Sequence, residues 1–125
     1  MDITPRLPAG RQLIGGYGSG QFHIADTVHE GSVLIFPDRT IAWPVVEAQG
    51  ISLDSLAPVA AADPRVEILV IGCGAAFQAP IKGLREALSE WGVVLEWMDT
   101  GAACRTFNIL LAEGRASAAA LIAVE

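Results

Sequence analysis

The chain has 125 residues and a mass of 13.1 kDa, the size of one domain that buries about two-thirds of its unfolded surface. Apolar residues make up 52% and mean hydropathy is +0.45, which excludes intrinsic disorder. No charge-free stretch exceeds 14 residues, Ile68 to Ile81 being one, whereas a bilayer span needs about 20, so no transmembrane helix is expected. With 8 Lys+Arg against 14 Asp+Glu the formal charge is −6, which excludes nucleic acid and anionic lipid as bulk electrostatic partners.

The opening MDITPRLPAGRQ has no basic region followed by an apolar run, so no secretory signal is expected. Cys73 and Cys104 are the only cysteines and form no CxxC motif. A disulfide framework or a structural zinc site needs more, so the expectation is two reduced thiols in a cytoplasmic protein.

Met1 to Gly20 is rich in Pro and Gly and ends in Gly15-Gly16-Tyr17-Gly18-Ser19-Gly20, which reads as a loop. Three β-type runs follow. Gln21 to Ala25 alternates with Phe22 and Ile24 on one face, Ser32 to Phe36 is apolar as in a strand buried on both faces, and Arg39 to Trp43 follows a turn at Pro37-Asp38. Ser52 is placed to cap a short helix from Leu53 to Ala61, limited by Pro58. After Asp63-Pro64 the pattern changes. Glu67 to Ile71 reads as a buried strand and Pro80 to Trp91 as a helix stopped by Gly92. Val93 to Met98 reads as a strand, and Ala103 to Glu113 as a helix opened by Asp99 or Thr100. Ala116 to Ala123 is a final strand of small residues. Strand, helix, strand, helix, strand in this order gives parallel neighbours with right-handed crossovers. The expected architecture is an α/β domain over residues 1–125, with a mixed sheet. Its C-terminal half is a parallel βαβαβ unit, and antiparallel strands stand in front.

Ligands of parallel sheets bind at the carboxyl ends of the strands. Two loops lie there, Ile71 to Phe77 with its Gly72-Cys73-Gly74 turn, and Met98 to Arg105. If their strands are neighbours, the loops face one another across one crevice. The Gly-Cys-Gly turn is compatible with phosphate approach, but Phe77 stands where a dinucleotide fingerprint needs its third glycine. Asp99, Thr100, Cys104, Arg105 and Thr106 gather at a helix start. There the dipole and Arg105 favour a Cys104 thiolate, while Asp99 and Thr100 also suit simple capping and Cys104 a small core position. No histidine is near: His23 and His29 fall in the β-rich half and lack a third metal ligand, so no metal is expected. Trp43, Trp91 and Trp97 fall on apolar faces, where packing is their expected role.

Four segments carry a family resemblance: GYGSGQFHI (Gly16 to Ile24), GSVLIFP (Gly31 to Pro37) with Trp43, EILVIGCG (Glu67 to Gly74), and EWMDTGAACRTFNILLAEGRASAAALI (Glu96 to Ile122). In them the chain resembles the small domain-of-unknown-function family with the Mth-like fold that includes mitochondrial complex I assembly factor 3. The specific block holds Met98, Thr100, Ala103, Cys104, Arg105, Thr106, Asn108, Leu110, Glu113, Gly114 and Arg115. One departure is Cys73, where the pattern usually has threonine between the two glycines. The resemblance implies a three-layer α/β fold around a central mixed sheet, and no established enzyme activity, catalytic residues or cofactor. It links the mitochondrial member to construction of the membrane-bound NADH dehydrogenase, and bacterial relatives to protein-export genes.

Three functional readings follow. The first is a non-enzymatic assembly or interaction factor, cytoplasmic and peripheral to the inner membrane, whose partner is a respiratory complex or membrane-insertion machinery. The second is a small-anion or nucleotide binder, or an enzyme, built on Gly72, Cys73, Gly74, Asp99, Thr100, Cys104, Arg105 and Thr106, with Arg105 as anion anchor. The third is thiol redox chemistry through Cys73 and Cys104, which requires Cα atoms within about 7 Å.

Overall fold

A computed structural model describes residues 10–125; the part of the expected N-terminal loop in residues 1–9 lies outside the described residues. Eight strands and three α-helices follow in chain order: β1 (Ile14–Gly18), β2 (Gln21–Ile24), β3 (Thr27–Glu30), β4 (Val33–Phe36), β5 (Arg39–Ala42), α1 (Ala57–Ala60), β6 (Ile68–Gly72), α2 (Leu84–Glu90), β7 (Val94–Met98), α3 (Thr100–Ala112) and β8 (Ser117–Leu121).

The central sheet has the order β5-β4-β8-β6-β7. β6 pairs in parallel with both β7 and β8, whereas β4 runs antiparallel to β8 and to β5. This is the mixed α/β architecture expected, with the parallel strands in the C-terminal half. β4, β6 and β8 are interior strands, and their apolar runs are buried on both faces. β8 is built from Ser117-Ala118-Ala119-Ala120-Leu121, and its small side chains let Phe107 and Leu111 of α3 pack close above Ala119 in one cluster.

β2, β5 and β7 form where the sequence predicts them, whereas β1, β3 and the pairing of the N-terminal strands depart from that reading. β1, β2 and β3 form a separate antiparallel sheet rather than edge strands of the central one. The glycine-rich run is itself the strand β1. Its pairing with β2 shifts between Ile14 and Gly16, so Gly15 sits at a β-bulge, a place where a glycine is tolerated inside a strand. Ser19 and Gly20 both have positive φ and form the tight hairpin turn. His29 lies on β3, a strand that the sequence did not mark.

Two apolar clusters cover the two faces of the central sheet. One gathers Leu34, Leu69, Ile71, Ala118 and Ala120 with Leu84 and Leu88 of α2, Val59 of α1 and Trp43. The other gathers Val33, Ile35, Val70, Ala119 and Leu121 with Ala103, Cys104, Phe107 and Leu111 of α3, and Ile14, Phe22 and Ile24 of the small sheet. The alternation along β6 and β8 sets this division, and the result is three layers. The tryptophans pack as expected: Trp43 and Trp97 are buried, with their indole N–H groups donating to the Ser55 and Gln78 carbonyls at 2.8 and 2.7 Å.

The helices are shorter than the periodicity predicts, apart from α3. Ser52 does cap its segment, its Oγ accepting from Ser55 N at 3.2 Å. Pro58 nevertheless leaves only a 3-10 turn (Asp54–Leu56) and the four-residue α1. α2 starts at Leu84, after Gly83 with φ +82°. α3 begins three residues earlier than expected, because Asp99 adopts the N-cap and accepts from Ala102 N at 2.9 Å. At its other end Gly114 has φ +70°. Its N–H and that of Arg115 reach the Leu111 and Leu110 carbonyls at 3.1 and 3.0 Å, a Schellman arrangement that satisfies both acceptors.

Candidate functional site

β6 and β7 are neighbours, so the loops after them do meet at the carboxyl end of the sheet. They are tied together rather than separated by a crevice. Cys73 N donates to the Met98 carbonyl at 2.9 Å and Thr100 N to the Gly74 carbonyl at 2.9 Å. The Thr100 hydroxyl, in a fully buried residue, accepts from Gly74 N at 3.1 Å and donates to the Ile122 carbonyl at 2.8 Å. Ile122 N returns a bond to the Gly72 carbonyl at 3.0 Å. One hydroxyl thus stitches the ends of β6, β7 and β8, and its only proton is spent in doing so.

The glycines answer to this closeness. A Cβ on Gly72 would lie 2.8 Å from Thr100 Cα, a backbone contact that no rotamer change relieves. Gly74 has φ +125°, outside the region side chains favour. A Cβ on Gly101 would meet the Tyr17 hydroxyl, so the small sheet closes over the first turn of α3 through that ring. Tyr17 was not singled out in the sequence because it stands inside the glycine-rich run.

Of the two readings of Cys104, a small core position and a thiolate, its burial fits the core position. Cys104 is buried at 3% exposure, and desolvation pushes its thiol up to about 12, with nearby Arg105 opposing and Asp99 assisting the rise. Cys104 packs in the α3-side cluster and Cys73 in the cluster on the opposite face. The Cys73 Sγ accepts from Gln78 N at 3.4 Å and donates to the Ala76 carbonyl at 3.7 Å. Asp99 is occupied as a helix cap, and the Thr106 hydroxyl donates to Met98 Sδ at 3.3 Å.

Of the eight residues singled out, Arg105 alone is exposed, and it makes no ion pair with any described residue. Phe77, at 63% exposure on the loop after β6, and Ile109, at 59% on α3, also face solvent. Neither carries a motif that sequence reasoning would mark. Asn108 was noted only as part of the family block, and its role is specific. Its Oδ1 accepts from Ile14 N at 2.9 Å while its Nδ2 donates to the Ile14 carbonyl at 2.8 Å, so a helical side chain serves β1 as a substitute strand.

Among the described residues no three His, Cys, Asp or Glu side chains gather as metal ligands. No described helix is long and apolar enough to cross a membrane.

Comparison with known proteins places this arrangement. The family model described as protein of unknown function (DUF498/DUF598) matches residues 14–122. An uncharacterized protein of Rhodobacter capsulatus is 39% identical over 122 residues, covering 96% of this chain and 93% of the relative. NADH dehydrogenase [ubiquinone] 1 alpha subcomplex assembly factor 3 of Homo sapiens is 33% identical over 122 residues, covering 98% of this chain and 66% of that factor. Among solved structures, one described as an outer membrane protein from Bartonella henselae matches with TM-score 0.84 and 38% identity, over 94% of this chain and 98% of that one. A Mth938-like domain from Bordetella pertussis matches with TM-score 0.79 and 26% identity, over 98% and 92% of the two chains. The two-sheet fold is therefore that of Mth938-like domains, and the chain belongs to the DUF498/DUF598 family of proteins of unknown function.

Proposed function

We propose that this chain is a non-enzymatic assembly or interaction factor that holds a protein partner at the carboxyl end of its parallel strands. The observation that carries the reading is the internal use of polar groups at that end. Thr100, Asp99, Cys73 and Thr106 are bonded within the protein, and Cys104 is buried and protonated. Phe77, on the loop after β6, and the Arg105 guanidinium, in the second turn of α3, point outward, and both are side-chain types found at interface anchors. In this reading Gly72, Gly74 and Thr100 shape the surface and Arg105 engages it. The assembly-factor names of several relatives support a partner among subunits of a respiratory NADH dehydrogenase or the machinery that inserts them, with the chain acting in the cytoplasm at the inner membrane.

The test is mild crosslinking of the tagged chain in its own host, purification from membrane and soluble fractions, and identification of what accompanies it. Recovery of NADH dehydrogenase subunits or insertion machinery, lost at least tenfold with Arg105→Glu and with Phe77→Asp, is the expected result. Recovery of the protein alone, or undiminished recovery with both variants, overturns the reading.

A further inference from the structure

The opposite end of the central sheet carries a feature that the assembly reading does not use. A cavity of about 280 Å3 opens there between the turn joining β4 to β5, the segment leading into β6, and the segment joining α3 to β8. Its lining includes Arg11, Arg39, Arg65 and Arg115, against Asp38 and Asp63. Half of the 8 cationic side chains of a chain with net charge −6 therefore surround one cavity.

The four arginines are not equally committed. The Arg39 guanidinium lies 4.2 Å above the Phe36 ring and 3.4 Å from Asp38, so its planar face is packed and its edge remains available. Arg115 is 4.0 Å from Glu113 with half of its side chain exposed, a loose pair that an exchanging anion can replace. The tip of Arg65 rests against Gly92, where a Cβ would come within 2.8 Å of it, so it contributes charge at the margin. Arg11 is the decisive one. Among the described residues its Nε is buried without a hydrogen-bond partner, although a buried donor of a charged group ordinarily has one. The backbone beside it is tied to the β4–β5 hairpin, since Gln12 N donates to the Pro37 carbonyl at 3.2 Å and Gln12 Oε1 accepts from the Thr40 hydroxyl at 2.6 Å.

The helix end at this site would oppose an anion through the negative pole of α3. The Schellman bonds to the Leu110 and Leu111 carbonyls and the Arg115 side chain both reduce that opposition. Phe36, Pro64 and Val66 supply apolar wall, and the volume is at the low end of small-molecule sites. A phosphate group offers several acceptor oxygens and two negative charges in the geometry that guanidinium forks match, and the lining carries two more positive charges than negative ones. We propose that this cavity binds a small phosphorylated molecule, its phosphate held by Arg11, Arg39 and Arg115 and its apolar portion against Phe36 and Val66.

Inorganic pyrophosphate titrated into the purified chain, followed by 1H–15N NMR of the backbone and the arginine Nε–Hε groups, tests this. Expected are saturable shifts at the Arg11 Nε–Hε group and at the Arg39 and Arg115 amides. The dissociation constant should rise at least tenfold in Arg11→Gln and in Arg115→Gln, and stay unchanged in Lys82→Gln. Arg115 is exposed enough that its variant keeps the fold, which its own spectrum verifies. Non-saturating shifts, or the same constant in wild type and Arg115→Gln, overturn the site. Citrate binding as tightly as pyrophosphate overturns its assignment to phosphate. Both outcomes are independent of any protein captured by the surface bearing Arg105.

Discussion

Thr100→Val replaces a fully buried hydroxyl with a methyl group of nearly the same shape and removes both bonds that join β6, α3 and the residues after β8. The Gly74 N–H and the Ile122 carbonyl are then left in place, buried and unpaired. Each such group costs about 1–3 kcal/mol, so the variant should lose about 2–6 kcal/mol, a large share of the 5–15 kcal/mol that typically holds a domain of this size. In thermal terms this is a fall of roughly 10–20 °C. Urea denaturation followed by circular dichroism measures it, with an unchanged slope showing that the denatured state is unaltered. Thr100→Ser keeps the hydroxyl and loses only a methyl, a loss of about 1 kcal/mol. If the Val and Ser variants prove equally stable, the hydroxyl is not the fastener described, and the closure rests on the backbone bonds alone.

Three further outcomes follow from neighbouring features. Gly72→Ala places a Cβ 2.8 Å from Thr100 Cα and should cost about 1–3 kcal/mol or more through overpacking; a melting temperature equal to wild type would refute the contact. Asn108→Ala removes both side-chain bonds to Ile14. It should speed hydrogen exchange at the Ile14 amide well beyond that of β6 amides, and unchanged protection there would show that β1 is held by other means. Burial raises the Cys104 thiol from 9.0 to about 12. Above pH 9 the unfolded chain therefore releases a proton that the native chain keeps, and stability that is whole below pH 9 is lost progressively towards pH 12, by about 4 kcal/mol at most. Unfolding free energies from pH 7.5 to 11 should decline less steeply for Cys104→Ala than for wild type, and equal slopes would contradict the burial argument.

The parts of the fold legible in the sequence are those whose signal is local. β4, β6, β7, β8 and α3 announce themselves through apolar runs, alternation or an acidic cap, and Asp99 fulfils the role its position indicates. β1 was hidden because Gly15 and Gly16 read as loop, and only pairing with β2 and the Asn108 clamp, 94 residues away in sequence, make them a strand. β3 was hidden because its turn uses Ala25 and Asp26, both at positive φ, where Ala is not a turn signal. Of the candidate site, the meeting of the two loops was legible from topology, but the direction of the polar groups was not. Thr100 reads as an outward cap in sequence and is an inward fastener in the structure, because its partners are backbone atoms of Gly74 and Ile122. The arginine-lined cavity left no sequence signal, since its cations are scattered from residue 11 to residue 115.

The position of β8 has a consequence for how the protein comes into being. In chain order it is the last strand, yet in the sheet it lies between β4 and β6. Until it is synthesised, the β4–β5 hairpin and the β6–β7 pair share no hydrogen-bonded edge, and each shows an apolar strand with open backbone groups. Pairing β8 with β4 also closes a long loop, so the step is entropically slow and its precursor is exposed to wrong association. The alanines of β8 are poor drivers of strand formation by themselves. Completion of the sheet therefore waits on a strand whose insertion is rewarded only when both neighbours and α3 are already in place, so the two halves of the sheet are joined last.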